Sequence, residues 1–271
     1  MAYKRILTIQ DISCVGQCSM TVALPILSAC GHETCILPTA VLSTHTGGFG
    51  KPVVQHLAVD GMWRHWKDQG IDFDAILVGY LGSVEAVETV SQILDEMLAP
   101  SGIAIVDPAM ADHGKRYSGL SEAYAEAMQR LCEKADILLP NITEAAMMAG
   151  MEYRSDFDEA YVRELLGKLG GKAVVLTGVG FAPDQTGAAV RRGGEVVFIH
   201  TPKVSKSYSG TGDMFAACFT GALMQGLTLE SAAAVACGFV LKSIEATAAN
   251  PAHWYGVKFE TALPWLISQL F

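Results

Sequence analysis

The feature that most constrains this chain is a regular alternation of short β-branched runs with amphipathic stretches. "RILTIQDI" is strand-forming, "MTVALPILSACG" is predicted to be a helix ending at Gly31, and "ETCILPTAVLS" is a second strand. Strand, helix and strand within about 40 residues is a βαβ opening, and it demands a parallel sheet. "FDAILVGYLG" and "GIAIVDPAM" are apolar runs bounded by turn residues, as strands buried on both faces should be. Between them, "VEAVETVSQILDEML" carries apolar residues at helical spacing.

The pattern continues with helices at "LSEAYAEAMQRLCEKA", "ITEAAMMAG" and "DEAYVRELLGKLG", the last closed by Gly170 and Gly171. Strands follow at "ADILLPN" and "KAVVLTGVG". "TGAAVRRGGEVVFIHTPKV" breaks the alternation: two runs about "RRGG" form a hairpin predicted to cap a sheet edge. "GDMFAACFTGALMQG", "TLESAAAVACGFVLKSIEATA" and "FETALPWLISQL" complete the helices. With no repeat, linker or low-complexity tract, the expectation is one α/β domain over residues 1–271. It is a doubly wound, mainly parallel sheet flanked by helices, with a small edge hairpin. Ligands bind such sheets at the carboxyl ends of the strands. Asp11 to Ser13, Tyr80, Asp107, Asn141 and Thr177 fall there.

Composition narrows the function classes. Half of the 271 residues (51%) are hydrophobic, enough for a large core, and the formal net charge is -9. No Lys/Arg-rich block offers the basic face that nucleic acid requires. The seven cysteines, Cys14, Cys18, Cys30, Cys35, Cys132, Cys218 and Cys237, include no CxxC and read as free thiols of a reducing compartment. Cys14 and Cys18 are spaced to share a helix face. "MAYKRILTIQ" is too short and polar for a signal peptide. No apolar run reaches the ~18 residues of a membrane span, and the longest, "SAAAVACGFVLKSIEA", is broken by Lys242 and Glu245. The expectation is a cytoplasmic protein with neither nucleic-acid nor membrane partners.

Three constellations carry chemistry. In "YSGTGDMFAA", Gly210 and Gly212 let main-chain amides approach a ligand at the start of a helix, which makes an anion site. Asp213 among those amides is placed to accept a proton from an attacking hydroxyl, or simply to cap the helix. In "LLPNITEAAMMAG", Asn141 and Glu144 could hold Mg²⁺ through water near phosphate oxygens, or Asn141 and Thr143 could cap the helix. In "IVDPAMADHGKRYSG", Asp107 ends a strand, and the polar loop after it is either a lid or an ordinary connection. No GxxxxGK[ST] occurs, which excludes a P-loop enzyme.

The segments "DPAMAD", "LLPNITEAAMMAG", "VVLTG" and "VSKSYSGTGDMFAA", in that order, resemble the ribokinase superfamily and, within it, the pyridoxal kinases. The likeness runs from about residue 4 to about residue 245. It implies ATP-dependent phosphorylation of the primary alcohol of pyridoxal, pyridoxamine or pyridoxine. Asp213 would be the base, and the amides of Gly210, Thr211 and Gly212 the anion hole. Asp107 and Glu144 would organise Mg²⁺ through water, and Asp107, Asn141, Glu144 and Thr177 would serve ATP. "IQDISCVGQCS", "LSTHTGGF" and "LVGYLG" are similar to substrate segments of that subgroup, which points to Ser13, Thr46 with His45 beside it, and Tyr80. "MADHGKRYSG" would be the lid, with Lys115 or Arg116 reaching the ATP phosphates. The resemblance also implies a homodimer and, in some relatives, a monovalent cation such as K⁺.

A hydroxymethylpyrimidine kinase is the alternative with the same fold and anion site. A non-catalytic carrier of B6 is a second alternative, which the presence of Asp213 opposes. Trp63 and Trp66 lie on a predicted helix with one packing inward. "NPAHWYGVKFE" is dense in aromatics and reads as packing, with an adenine cover or a dimer contact as the other readings.

Overall fold

Among the described residues nine strands form one sheet, and its two-sided burial follows from the apolar runs. The computed structural model describes residues 3–170, 173–250 and 252–271. The strands are β1 (Arg5–Ser13), β2 (Glu33–Leu42), β3 (Val54–His56), β4 (Phe73–Val78), β5 (Leu98–Val106), β8 (Ile137–Leu138), β9 (Ala173–Thr177), β10 (Gln185–Arg192) and β11 (Glu195–Pro202). A separate ribbon of β6 (Ala111–Asp112) and β7 (Lys115–Arg116) follows β5. The helices are α1 (Met20–Ala29), α2 (Asp60–Asp68), α3 (Val84–Glu96), α4 (Glu122–Cys132), α5 (Ile142–Met148), α6 (Glu159–Lys168), α7 (Thr211–Met224), α8 (Leu229–Ala248) and α9 (Leu263–Leu270), with a 3₁₀ turn at Phe259–Ala262.

The order across the sheet is β11-β10-β9-β8-β5-β4-β1-β2-β3. The interior strands run parallel, while β3 and the β10–β11 hairpin are antiparallel at opposite edges. The chain leaves β1 toward β2 and returns on the other side to β4. The switch point, where a doubly wound sheet opens a crevice, therefore lies between the carboxyl ends of β1 and β4.

Alternation along the strands divides the core. Leu7, Ile76 and Val78 face a layer containing α3, α4 and α6, while Ile6, Ala75 and Leu77 face α1, α7 and α8. Trp63 is fully buried in the first layer, and Trp66 packs partly against it. Helix α8 is long and apolar enough to cross a membrane by length and composition. It packs one face, including Ala232, Ala236 and Phe239, into the second layer, with Lys242 and Glu245 ion-paired on its outer face.

Most predicted elements are present. Strand β3 and the β6–β7 ribbon were not expected, because runs of two or three residues show no periodicity. Helix α6 ends at Lys168, and Gly171 lies outside the described residues. Cys14 and Cys18 do not share a helix face: Cys14 extends β1 by bonding Leu42, and Cys18 lies in the turn before α1. All seven thiols are free.

Candidate active site

Three loops interlock at the switch point: residues 14–19 after β1, 43–50 after β2 and 203–210 before α7. Their contact depends on two glycines. A Cβ at Gly210 would lie 2.0 Å from the Gln17 carbonyl oxygen, and one at Gly16 would lie 2.1 Å from the His45 ring. Gly210 also takes φ +82°, which side-chain-bearing residues avoid.

Asp213 lies in the first turn of α7 and is half-buried. Its Oδ2 accepts the Ser19 main-chain N–H at 2.8 Å and the Cys18 thiol at 3.2 Å. No donor reaches Oδ1 among the described residues. The N–H groups of Gly210, Thr211 and Gly212 lie at the start of α7, where no intrahelical carbonyl reaches them. The Thr211 hydroxyl is turned back onto the Tyr208 carbonyl at 3.3 Å. Asp213 and Asp107 line one narrow crevice with Gln10, Gly79 and Ala216.

Ser19 supplies its N–H from a strained backbone, φ 53° and ψ -126°. That region is essentially reserved for glycine, and occupying it costs about 1–3 kcal/mol. Asp11, buried on β1, is pushed up to about 6 by burial and by the Asp213 charge, against hydrogen bonding from the Ser19 and Ser13 hydroxyls. Burial raises Asp213 as well, opposed by the Ser19 N–H and the Cys18 thiol. Asp107 is held well above the carboxylate range by burial and by the charges of Glu144 and Asp213. No Lys or Arg forms an ion pair with Asp11, Asp107, Glu144 or Asp213 among the described residues.

Asn141 and Glu144 form a capping box at the start of α5, so Asn141 caps the helix as the alternative reading had it, with Glu144 rather than Thr143 as its partner. Glu144 Oε1 accepts the N–H groups of Met110 and Ala111, and Asn141 Nδ2 donates to the Ala111 carbonyl. The Thr143 hydroxyl accepts the Gly114 N–H at 3.0 Å. The start of α5 therefore pins the β6–β7 ribbon, the segment expected to be a lid. Its tip at His113 is exposed, and Arg116 pairs with Glu122 at 2.6 Å. Thr177 lies beside Asn141, its N–H and hydroxyl both directed at the Pro140 carbonyl.

Oxygen donors lining this crevice suit Mg²⁺, and the elevated Asp107 marks carboxylate charge that a cation would relieve. Among the described residues no cluster of three or more His, Cys, Asp or Glu is arranged to hold a metal. One or two carboxylates completing the shell of a phosphate-bound ion is the usual Mg²⁺ arrangement. Asp107 fits direct contact, whereas Glu144 has one lone pair left, on Oε2, and fits a water-mediated one.

The expected ring contacts are more dispersed. Ser13 is buried and donates its hydroxyl to Asp11 Oδ2 at 3.1 Å. Tyr80 is half-buried past β4, its phenol raised by burial and by Asp11. Thr46 is exposed. His45 is buried with both ring nitrogens on main chain: Nδ1 accepts the Gly47 N–H at 2.9 Å, and Nε2 donates to the Tyr255 carbonyl at 2.8 Å. The aromatic segment 253–255 packs on this loop, with the Phe49 and Trp254 ring centroids 4.8 Å apart. Gln17 clasps the same segment, accepting from His253 Nε2 at 2.9 Å and donating to Glu260 at 3.0 Å.

The sequence placed Asp11 at a ligand-binding strand end without a role, raised Cys18 only as a partner of Cys14, and pointed to neither Gln17 nor Ser19. A carboxylate at the end of a central apolar strand was a legible signal for Asp11. The others depend on contacts across more than 190 positions, such as Cys18 to Asp213.

A half-buried carboxylate beside unfilled amides, at the switch point of a doubly wound sheet, defines a ribokinase-like phosphotransferase. Comparison with known proteins agrees. A pyridoxine/pyridoxal/pyridoxamine kinase of Bordetella avium is 30% identical over 258 residues, covering 89% of this chain and 85% of that one. The crystal structure of pyridoxal kinase from Lactobacillus plantarum superimposes with a TM-score of 0.90 at 33% identity, covering 98% of both chains. A Bacteroides thetaiotaomicron protein assigned as a phosphomethylpyrimidine kinase, in a crystal form with pyridoxal, matches with a TM-score of 0.90 at 33% identity over 98% and 96% of the two chains. Residues 28–257 match the phosphomethylpyrimidine kinase family, and the chain belongs to it.

Proposed function

We propose that this kinase transfers the terminal phosphoryl group of ATP to the primary alcohol of pyridoxal, pyridoxamine or pyridoxine. The observation that carries the reading is that Asp213, whose Oδ2 holds the Ser19 N–H and the Cys18 thiol, shares a crevice with Asp107 at the head of a helix whose first N–H groups lack intrahelical acceptors. The alcohol proton passes to Asp213 as the oxygen attacks phosphorus. A new O–P bond forms, the bond to the ADP oxygen breaks, and its electron pair stays on ADP. The three amides meet the equatorial oxygens of the transferring group, where preorganised donors are most effective. Burial keeps Asp213 a stronger base than an ordinary carboxylate, which suits proton abstraction.

Asp107, with Glu144 through water, would hold Mg²⁺, which supplies charge neutralisation on the phosphates. Asn141 and Thr177 stand at adjacent strand ends, where the phosphate chain passes. Ser13, Thr46 and Tyr80 face the ring, and His45 positions the loop that carries Thr46. ADP release measured with the three vitamers tests the reading: turnover dependent on one of them supports it.

A hydroxymethylpyrimidine is the second acceptor, favoured by the family to which the chain belongs. It is a ring alcohol of smaller size, and the same assay separates the two through the ratio of kcat/KM. Transfer no faster than the uncatalysed background with every ring alcohol would favour a carrier.

A further inference from the structure

We propose that Cys18 and Ser19 are positioning residues that divide the labour between the two oxygens of Asp213, Oδ2 as anchor and Oδ1 as the atom that takes the proton. The inference deepens the kinase reading and rests on it. Both donors that reach the carboxylate end on Oδ2, the Ser19 N–H at 2.8 Å and the Cys18 thiol at 3.2 Å. They come from the turn before α1, across the crevice from α7. A carboxylate bonded through one oxygen from two directions cannot turn about its last torsion, so Oδ1 is held in one orientation.

The turn is built for this task. Ser19 occupies a glycine-type conformation, so its N–H is aimed by a backbone that a serine does not otherwise choose. The carbonyl of Gln17, next in the same turn, touches Gly210 at the head of α7, so the turn and the anion site are one packed unit. A thiol is a weak donor. It steadies Oδ2 while withdrawing less of the carboxylate's basicity than a hydroxyl would. Neither residue touches the transferring phosphoryl group in this assignment; both act through Asp213.

The test is a double-mutant cycle on the full chain, using the ring alcohol that the chain phosphorylates best. Cys18→Ala should lower kcat about tenfold, the effect of losing one hydrogen bond to a charged group, with KM for ATP unchanged. Cys18→Ser should return kcat to within about threefold of the parent, because a hydroxyl restores the donor. In an Asp213→Asn background, read by single turnover, Cys18→Ala should add nothing. Equal losses in the alanine and serine variants, or a full additional loss in the Asp213→Asn background, would overturn the proposal while leaving Asp213 as base. If the alanine variant does not fold, the serine variant decides: a loss beyond about threefold overturns the positioning role. Asp213→Asn with near-normal turnover would instead remove the kinase mechanism itself.

Discussion

Glu144 and Asn141 hold each other: Asn141 Oδ1 accepts the Glu144 N–H at 3.0 Å, and Glu144 Oε2 accepts the Asn141 N–H at 2.9 Å. Glu144 Oε1 at the same time holds the ribbon through Met110 and Ala111. The residue expected to serve the metal is therefore also a structural hub. Glu144→Ala leaves buried N–H groups without acceptors and should cost about 3 kcal/mol. Glu144→Gln keeps an acceptor for the ribbon and should cost about 1 kcal/mol. Urea unfolding midpoints should fall in that order, and equal midpoints would remove the hub.

The strain at Ser19 is directly measurable. Ser19→Gly and Ser19→Ala both remove the hydroxyl, and they differ in whether the backbone conformation is comfortable. The glycine variant should be more stable by about 1 kcal/mol, the strain relieved less the extra chain entropy that glycine loses on folding. Thermal unfolding of the pair gives the difference, and the reverse order would show that Ser19 is not strained.

Asp11 sets a pH dependence whose sign is fixed. Its folded-state value is raised from 3.8 to about 6, so the folded protein holds that proton more tightly than the unfolded chain. The contribution is favourable below the unfolded value and is lost as pH rises from about 4 through about 6. Between the acid end and neutral pH the loss amounts to roughly 3 kcal/mol. Asp11→Asn keeps an acceptor for Ser13 and Ser19 without the charge. It should be more stable than the parent at neutral pH and little different at the acid end of that window. Unfolding midpoints at the two ends check it.

Gln17 ties the loop after β1 to the aromatic segment that packs on the His45 loop. Gln17→Ala removes the clasp and, under the proposed function, loosens the wall nearest the ring. KM for the ring alcohol should rise about fivefold, the value of one hydrogen bond, with KM for ATP unchanged. Equal rises in both would place the clasp elsewhere in the binding sequence.

Much of this architecture was legible because long elements announce themselves by periodicity. The run in α3 repeats at three and four, and β4 and β9 are unbroken apolar segments that only a two-sided burial explains. The edge hairpin was legible from "RRGG", where Gly193 takes φ +60° in the turn. The close approach at the head of α7 was legible because the glycines of "GTGD" state a backbone requirement, which Gly210 shows in its φ of +82° and its nearness to the Gln17 carbonyl. What remained hidden depends on distant contacts. Nothing local distinguishes a Cys18 that touches Asp213 from a core thiol such as Cys218. His45 reads as a ligand for the ring until both of its nitrogens are seen on main chain.

The most direct test of the central claim is single-turnover phosphoryl transfer by Asp213→Asn, with ATP binding measured in parallel. The substitution preserves shape and removes the base. A rate lower by about 10²–10⁴ with ATP affinity retained is the predicted result. A rate within a few-fold of the parent would contradict it, and would leave the carboxylate as no more than part of the turn that begins α7.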